Sequence, residues 1–546
     1  MAALRLEPHF ERTTPRASVS LASVRRLLTT GGDGRIALEG GRAANRYGCS
    51  PWPDAEVAAF GSATASTISE LGFAAAVRLR RHLCSRLETA NPAGVYAEEI
   101  ARQRRELGEL LGIEAGAGTE IVFAASGTDL HLNAAELVRG KGGRAPLAVM
   151  AAPAETGSGV PAALGCRHFD TCSAQGAQVV AGGPLAGGAM TVAQIAVRSG
   201  DGTPLPPAEV DAAAQALVAA AAEEGHPVLL VVTDVSKTGL IAPGPEMALT
   251  LRRRFAGQVE VLIDACQFRL AAATLRAYLA QDCLVALTGS KFVTGPAFAG
   301  ALLLPPAASG RLAARPLSPA LRAYSARGDW PQGLAAAETL EDAANFGLLL
   351  RWEAALAELR AFRQVPEAAI ETFLAAFAAA VRQRLESDPA FEPLPQHALD
   401  RRALMGDVRS WDQIPTLFPF LLRRPGSAGA AGAASLLDAA EMAAVHRLLA
   451  QPPHGHAAIA LGGRAAGATQ MRCQLGQPVA CGSLDGMPLA ALRLCASARL
   501  VVEATADGGS RAGVVIARAL AALDRTAQAA RTIAAAGSAV PPAIFS

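Results

Sequence analysis

The strongest constraint on this sequence is a series of short apolar runs spaced by helical text. The runs are EIVFAA (120–125), PLAVMAA (146–152), HPVLLVVTD (226–234), QVEVLIDA (258–265), CLVALTG (283–289) and FAGALLLP (298–305). Strands buried on both faces read in this unbroken way, whereas a strand with one wet face alternates. Segments of helical character, such as AEVDAAAQALVAAAAEEG, separate several of them. Alternating β and α units predict an α/β fold, a mainly parallel seven-stranded-type sheet with helices on both faces.

At 546 residues the chain needs more than one such unit. Residues 1–96 read as an N-terminal arm and helices, with DAEVAAF and FAAAVRLRRHLCSRL placed in helix over 54–90. Residues 97–310 form the large domain. Residues 311–546 read as a smaller α+β domain, with strands at 417–424, 469–475 and 491–502 and an Ala-rich helical end after Thr505.

Composition narrows the function. Lys+Arg 50 against Asp+Glu 48 leaves no dominant basic surface for nucleic acid. No run of 18 strictly apolar residues predicts a membrane span, and the first residues lack an apolar signal-peptide core. The nine cysteines are scattered without a CxxC pair, which predicts buried free thiols in a reduced, cytoplasmic protein and no metal centre.

Only three lysines occur, Lys141, Lys237 and Lys291; every other basic residue is arginine. Lysine alone can lose its proton and attack a carbonyl. Lys291 follows the apolar run CLVAL in Thr288-Gly289-Ser290-Lys291, where burial would favour the neutral amine. Lys237, in the polar loop Ser236-Lys237-Thr238-Gly239, is the weaker candidate. Two further pieces sit at strand ends, where open α/β sheets bind ligands. Ser126-Gly127-Thr128 opens a helix and suits a phosphate, or is an ordinary cap. Asp264 closes VEVLI and suits a protonated ring nitrogen, or is a helix cap.

In this order, EIVFAASGTDLHLNAAE, VVTDVSKTGLIAP, VLIDACQ and LTGSKFVTGPAFAGALLL resemble the fold type I pyridoxal 5′-phosphate enzymes, and within them the class V aminotransferase and cysteine desulfurase superfamily. The resemblance implies that Lys291 forms the internal aldimine and shuttles a proton. It implies that Asp264 keeps the pyridinium nitrogen protonated and that Gln267 bonds the cofactor's phenolic oxygen. Ser126, Gly127, Thr128, Thr288 and Ser290 would hold phosphate. Arg493, in ALRLC, would pair with a substrate carboxylate. Departures stand beside the matches. Thr156, in Glu155-Thr156, occupies the place of a ring-covering histidine. Ser236 replaces an asparagine near the phenolic oxygen, and Ser290 a histidine before the lysine. Aligning on Gln477-Pro478 puts Leu475 where a desulfurase needs its cysteine, with Cys473 and Cys481 off-register.

The implied protein is a pyridoxal-phosphate enzyme acting on an amino acid or amine, by family frequency an aminotransferase. The alternatives are a lyase, a decarboxylase or a decarboxylative C–C bond-forming enzyme, and, outside catalysis, a silent binding subunit. The family implies a homodimer. A rival dinucleotide reading rests on the G-x-G-x-x-A at 157–162, which lacks a strand-end acid about 20 residues on and would imply an NAD(P) oxidoreductase. Asn45 and Tyr47 are candidates for a substrate pocket. His131 reads slightly better as core than as cofactor-facing. His454-Gly455-His456 reads as solvated loop.

Overall fold

The computed structural model describes residues 20–38, 43–114, 116–139, 144–186, 188–313, 315–427, 432–451 and 471–536. Lys141 and the His454–His456 motif lie outside them.

Strand β1 (Val57–Phe60) comes first in the chain and belongs to the second sheet. The first sheet is built from β2 (Glu120–Ala124), β3 (Leu147–Ala151), β4 (Thr191–Ile195), β5 (Val228–Asp234), β6 (Ile241–Ala242), β7 (Val259–Ala265), β8 (Leu284–Thr288) and β9 (Gly300–Leu304). Its order is β2-β9-β8-β7-β5-β3-β4, with the short β6 beside β5. β3, β4, β5, β7 and β8 pair in parallel, and β9 runs antiparallel to both of its neighbours. The expected fold class is therefore present. Every residue of β5, β7, β8 and β9 is buried, as their unbroken apolar text requires.

The second sheet adds β10 (Phe391–Pro393), β11 (Leu417–Leu422), β12 (Arg472–Leu484) and β13 (Met487–Cys495), in the order β1-β12-β13-β11-β10. β1 corrects the helix expected from residue 54 onward. VAAF pairs in parallel with Arg472–Leu475, and the helix begins only at Glu70, capped by Ser69. The strand expected over 491–502 also stops early. Cys495 ends β13, and Ser497 accepts from the Leu500 amide to start a helix at Ala498, so ARLVV is helical.

The segment 157–162 opens only a short helix. Its helix has five residues, Val160–Leu164, and a Cβ on Gly159 would stand 3.1 Å from the Thr128 methyl. Those glycines let the loop approach Thr128. Among the described residues no single helix is long and apolar enough to cross a membrane.

Candidate active site

The C-terminal ends of β2, β5, β7 and β8 converge beneath the β12–β13 pair. Register places Asp264 beside Thr233 of β5 and Ala286 of β8. A cavity of about 240 Å³ opens there. Of the residues singled out above, Ser126, Gly127, Thr128, Thr156, Asp264, Gln267, Thr288, Ser290, Lys291, Tyr47 and Arg493 line it.

At one end lies the start of the Gly127–Val138 helix. Ser126 is its cap, its Oγ accepting from the amides of Thr128 (3.2 Å) and Asp129 (3.3 Å). The cap reading is thus realised. Gly127 is needed because a Cβ there would meet Cys266 Sγ at 3.0 Å and Thr288 Cγ2 at 3.3 Å. Thr288 donates to the Cys266 carbonyl (2.6 Å), which pins β8 to β7, and Ser290 donates to Thr288 (3.4 Å).

Sequence reasoning missed the cation at this end. Arg35 reaches in from the short 3-10 turn Gly34–Ile36, donating to Thr128 Oγ1 (3.2 Å) and Ser126 Oγ (3.4 Å). Asp33 holds it through Oδ1 (2.9 Å) and Oδ2 (2.5 Å), and the rings of Phe169 and Phe298 flank it. GGDGR signals the pairing but not its target: an Asp two residues before an Arg can cap and pair with it. Asp129, in the first turn of the Gly127–Val138 helix, is pushed up to about 7 by burial and then by the Asp33 carboxylate.

In the middle stands Asp264. Its Oδ1 accepts from the Cys266 amide (3.2 Å), and its Oδ2 lies 3.3 Å from Nε2 of His131. His131 therefore belongs to the cavity wall rather than to the core alone. Its Nδ1 must be the donor to the Gly127 carbonyl (2.7 Å), because a carbonyl only accepts. A second proton on the ring then sits on Nε2, facing Asp264. Burial opposes a charged imidazole, but the Asp264 carboxylate outweighs it and the pKa of His131 rises. The same burial opposes the Asp264 charge; His131, the Cys266 side chain and Lys291 overcome it and hold the carboxyl well below its usual range.

Lys291 shares the cavity with Asp264, and burial lowers its pKa. Lys237 was expected in a polar loop and instead lines the same cavity. The loop folds back because Glu155, buried, accepts from Ser236 Oγ (2.7 Å), Thr238 Oγ1 (2.6 Å) and Arg198 Nε (2.8 Å). Ser236 is spent on that carboxylate and on the Thr238 and Leu240 amides, so it does not line the cavity as expected. Asn45 does not line it either. Its Oδ1 caps a turn, accepting from the amides of Tyr47 (3.0 Å) and Cys49 (3.2 Å).

Gln267 donates to the Ala63 carbonyl (3.0 Å) and accepts from Arg269 (3.4 Å), which fixes its amide at the wall. Thr156 presents a buried hydroxyl without a protein partner. Arg493 projects from β13 into space left by Gly476, where a Cβ would stand 3.0 Å from its Nε. It donates to Thr64 Oγ1 (2.9 Å), the Gln477 carbonyl (2.5 Å) and the Lys237 carbonyl (3.3 Å).

All nine cysteines are free, and Cys266 alone lines the cavity. Its thiol is pushed well up, by burial first and Asp264 second. Leu475, Cys473 and Cys481 are buried in β12, away from the wall.

No family model and no curated protein matches the chain. Among solved structures it is similar to the cystine C-S lyase C-DES (16% identity, TM-score 0.48, 85% of this chain and 98% of that one). It is similar to the cysteine desulfurase CsdA of Escherichia coli (13%, 0.45, 87% and 95%). A third is Oryza sativa TDC, solved with PLP and tryptamine (15%, 0.47, 87% and 83%).

Proposed function

We propose that this chain is a pyridoxal 5′-phosphate enzyme acting on the amine of an amino acid. The observation that carries the reading is one cavity lined by a lysine of depressed pKa, a carboxylate held ionised, and a helix start cleared by a glycine. The fit extends to a buried, unpartnered Thr156 hydroxyl and an unpartnered Arg493 Nε on the same wall.

When bound, the cofactor supplies an electron-withdrawing ring that accepts the electron pair released at the substrate's α-carbon. Everything else is the work of the chain. Gly127 and Thr128 at the helix start, with Arg35 beside them, bind the phosphate. Asp264 holds a proton at the ring nitrogen, and His131 holds Asp264 ionised. Lys291, more readily neutral because its surroundings are desolvated, would hold the cofactor at its carbonyl carbon and would move a proton at the substrate's α-carbon. Gln267 bonds the phenolic oxygen, and Arg493 takes the substrate carboxylate.

Within this chemistry the first reading is aminotransfer. A lyase or decarboxylase is the second, supported by Thr156, whose small hydroxyl stands on the wall where the resemblance implies a ring-covering histidine. Cysteine desulfuration is disfavoured, because no cysteine but the walled-in Cys266 faces the cavity. Assembly as a homodimer belongs to the proposal on the resemblance alone and is checked by light scattering.

The test is reconstitution. Purified protein titrated with pyridoxal phosphate gains a visible absorption band at one equivalent per chain, and the band is lost in Lys291→Ala. Protein that gains no band, or keeps it in that variant, overturns the reading. A requirement for a keto acid in turnover then separates aminotransfer from lyase chemistry.

A further inference from the structure

The charges around the cavity do not balance. Asp264 faces His131, Glu155 is held by Arg198, and Arg35 is held by Asp33. Besides Arg46 and Lys291, the wall carries Lys237 and Arg493, and among the described residues neither of these two has a carboxylate within ion-pair distance. Arg493 is 2% exposed, donates only to neutral oxygens, and leaves its Nε unpartnered. Lys237 Nζ reaches only the Pro153 carbonyl, at 3.5 Å. The two share one corner, since Arg493 Nη1 donates to the backbone of Lys237 (3.3 Å).

Cations so placed are costly without an anion. One substrate carboxylate answers one of them and leaves the other. We propose that Lys237 and Arg493 form a two-point anion clamp, and that the substrate is an acidic amino acid carrying a second negative group beyond its α-carboxylate. This rests on the reading above and names its substrate class. Burial first, then Arg493 and Lys291, bring Lys237 down to about 7, and a bound anion would restore its charge.

The probes are unreactive acids of matched length, glutarate against valerate and succinate against butyrate. Binding is followed by the visible band of cofactor-loaded protein and, independently, by thermal shift of cofactor-free protein. The dicarboxylate of each pair binds at least roughly tenfold more tightly, one buried ion pair's worth. Lys237→Met erases that preference while the monocarboxylate affinity stays within about threefold; Arg493→Met weakens both acids. Equal affinities in the unaltered protein overturn the clamp, with no variant needed. So does a preference that survives Lys237→Met, or a Lys237→Met protein whose only change is the position of its visible band, which would place Lys237 on the cofactor. Because the thermal-shift arm needs no cofactor, its failure is distinct from absence of the band.

Discussion

Replacing Arg35 by glutamine separates an anion-binding role from a structural one. The guanidinium stands 3.2 Å from Thr128 Oγ1 and 3.4 Å from Ser126 Oγ, at the mouth of a helix whose first amides point the same way. A charge-assisted hydrogen bond from there to a phosphate contributes about 1.5–3 kcal/mol. Its loss weakens cofactor binding by roughly 10- to 150-fold. The substitution has a second effect. Asp33 is 3% exposed and would lose its cation while facing the equally buried Asp129, at a cost to folding of about 3 kcal/mol or more. The double variant Asp33→Asn/Arg35→Gln removes that orphaned charge. Cofactor affinity is measured by absorbance titration, phosphate affinity by thermal shift, and folding by urea. Both variants lose the same factor in affinity, and only the single variant loses the additional stability. A double variant that binds cofactor and phosphate like the unaltered protein refutes the reasoning and leaves Arg35 as the partner of Asp33 alone.

Three further outcomes follow from the same geometry. Asp264→Asn removes the carboxylate that raises His131 and leaves burial and Lys291 opposed only by the Gly127 carbonyl, so the imidazole titrates lower by NMR than in the unaltered protein, and turnover falls roughly tenfold to a hundredfold; a His131 pKa that stays up would show that Asp264 does not set it. Arg401→Leu strips Asp234, at the end of β5, of its buried bidentate partner (2.8 and 2.5 Å) and costs about 3–5 kcal/mol in urea unfolding, much of it recovered in Asp234→Asn/Arg401→Leu; a loss under about 1 kcal/mol contradicts the pairing. Asp129 is protonated in the folded chain up to about pH 7 but in the unfolded chain only near 3.8, so its contribution is complete below pH 4 and is lost as pH rises to 7. Across that window cofactor-free protein loses up to about 4 kcal/mol that Asp129→Asn does not lose, and parallel stability curves for the two would sink the claim.

The large sheet was legible because strands buried on both faces leave unbroken apolar runs, and its interior members β5, β7, β8 and β9 are of that kind. β4 escaped notice at the sheet edge, where TVAQI is mostly wet and carries no such run. β1 was read as helix because VAAF suits either state; what decides it is a partner strand more than 400 residues away in the chain. ARLVV reads as strand by composition, and a single serine cap turned it into helix. At the site, Lys291, Asp264 and Gly127 were legible because each closes or follows a strand. Arg35 was not, since nothing in GGDGR says which helix it will meet. Lys237 was misplaced because a polar loop ordinarily points outward, and here the buried Glu155 draws it in.

The central claim is that one particular amine carries the cofactor. Borohydride reduction of the pyridoxal-phosphate-loaded protein, followed by digestion and mass spectrometry, fixes the cofactor on whichever lysine holds it. A single modified residue per chain, at Lys291, is the predicted result. Modification at Lys237, or none at all, would contradict it.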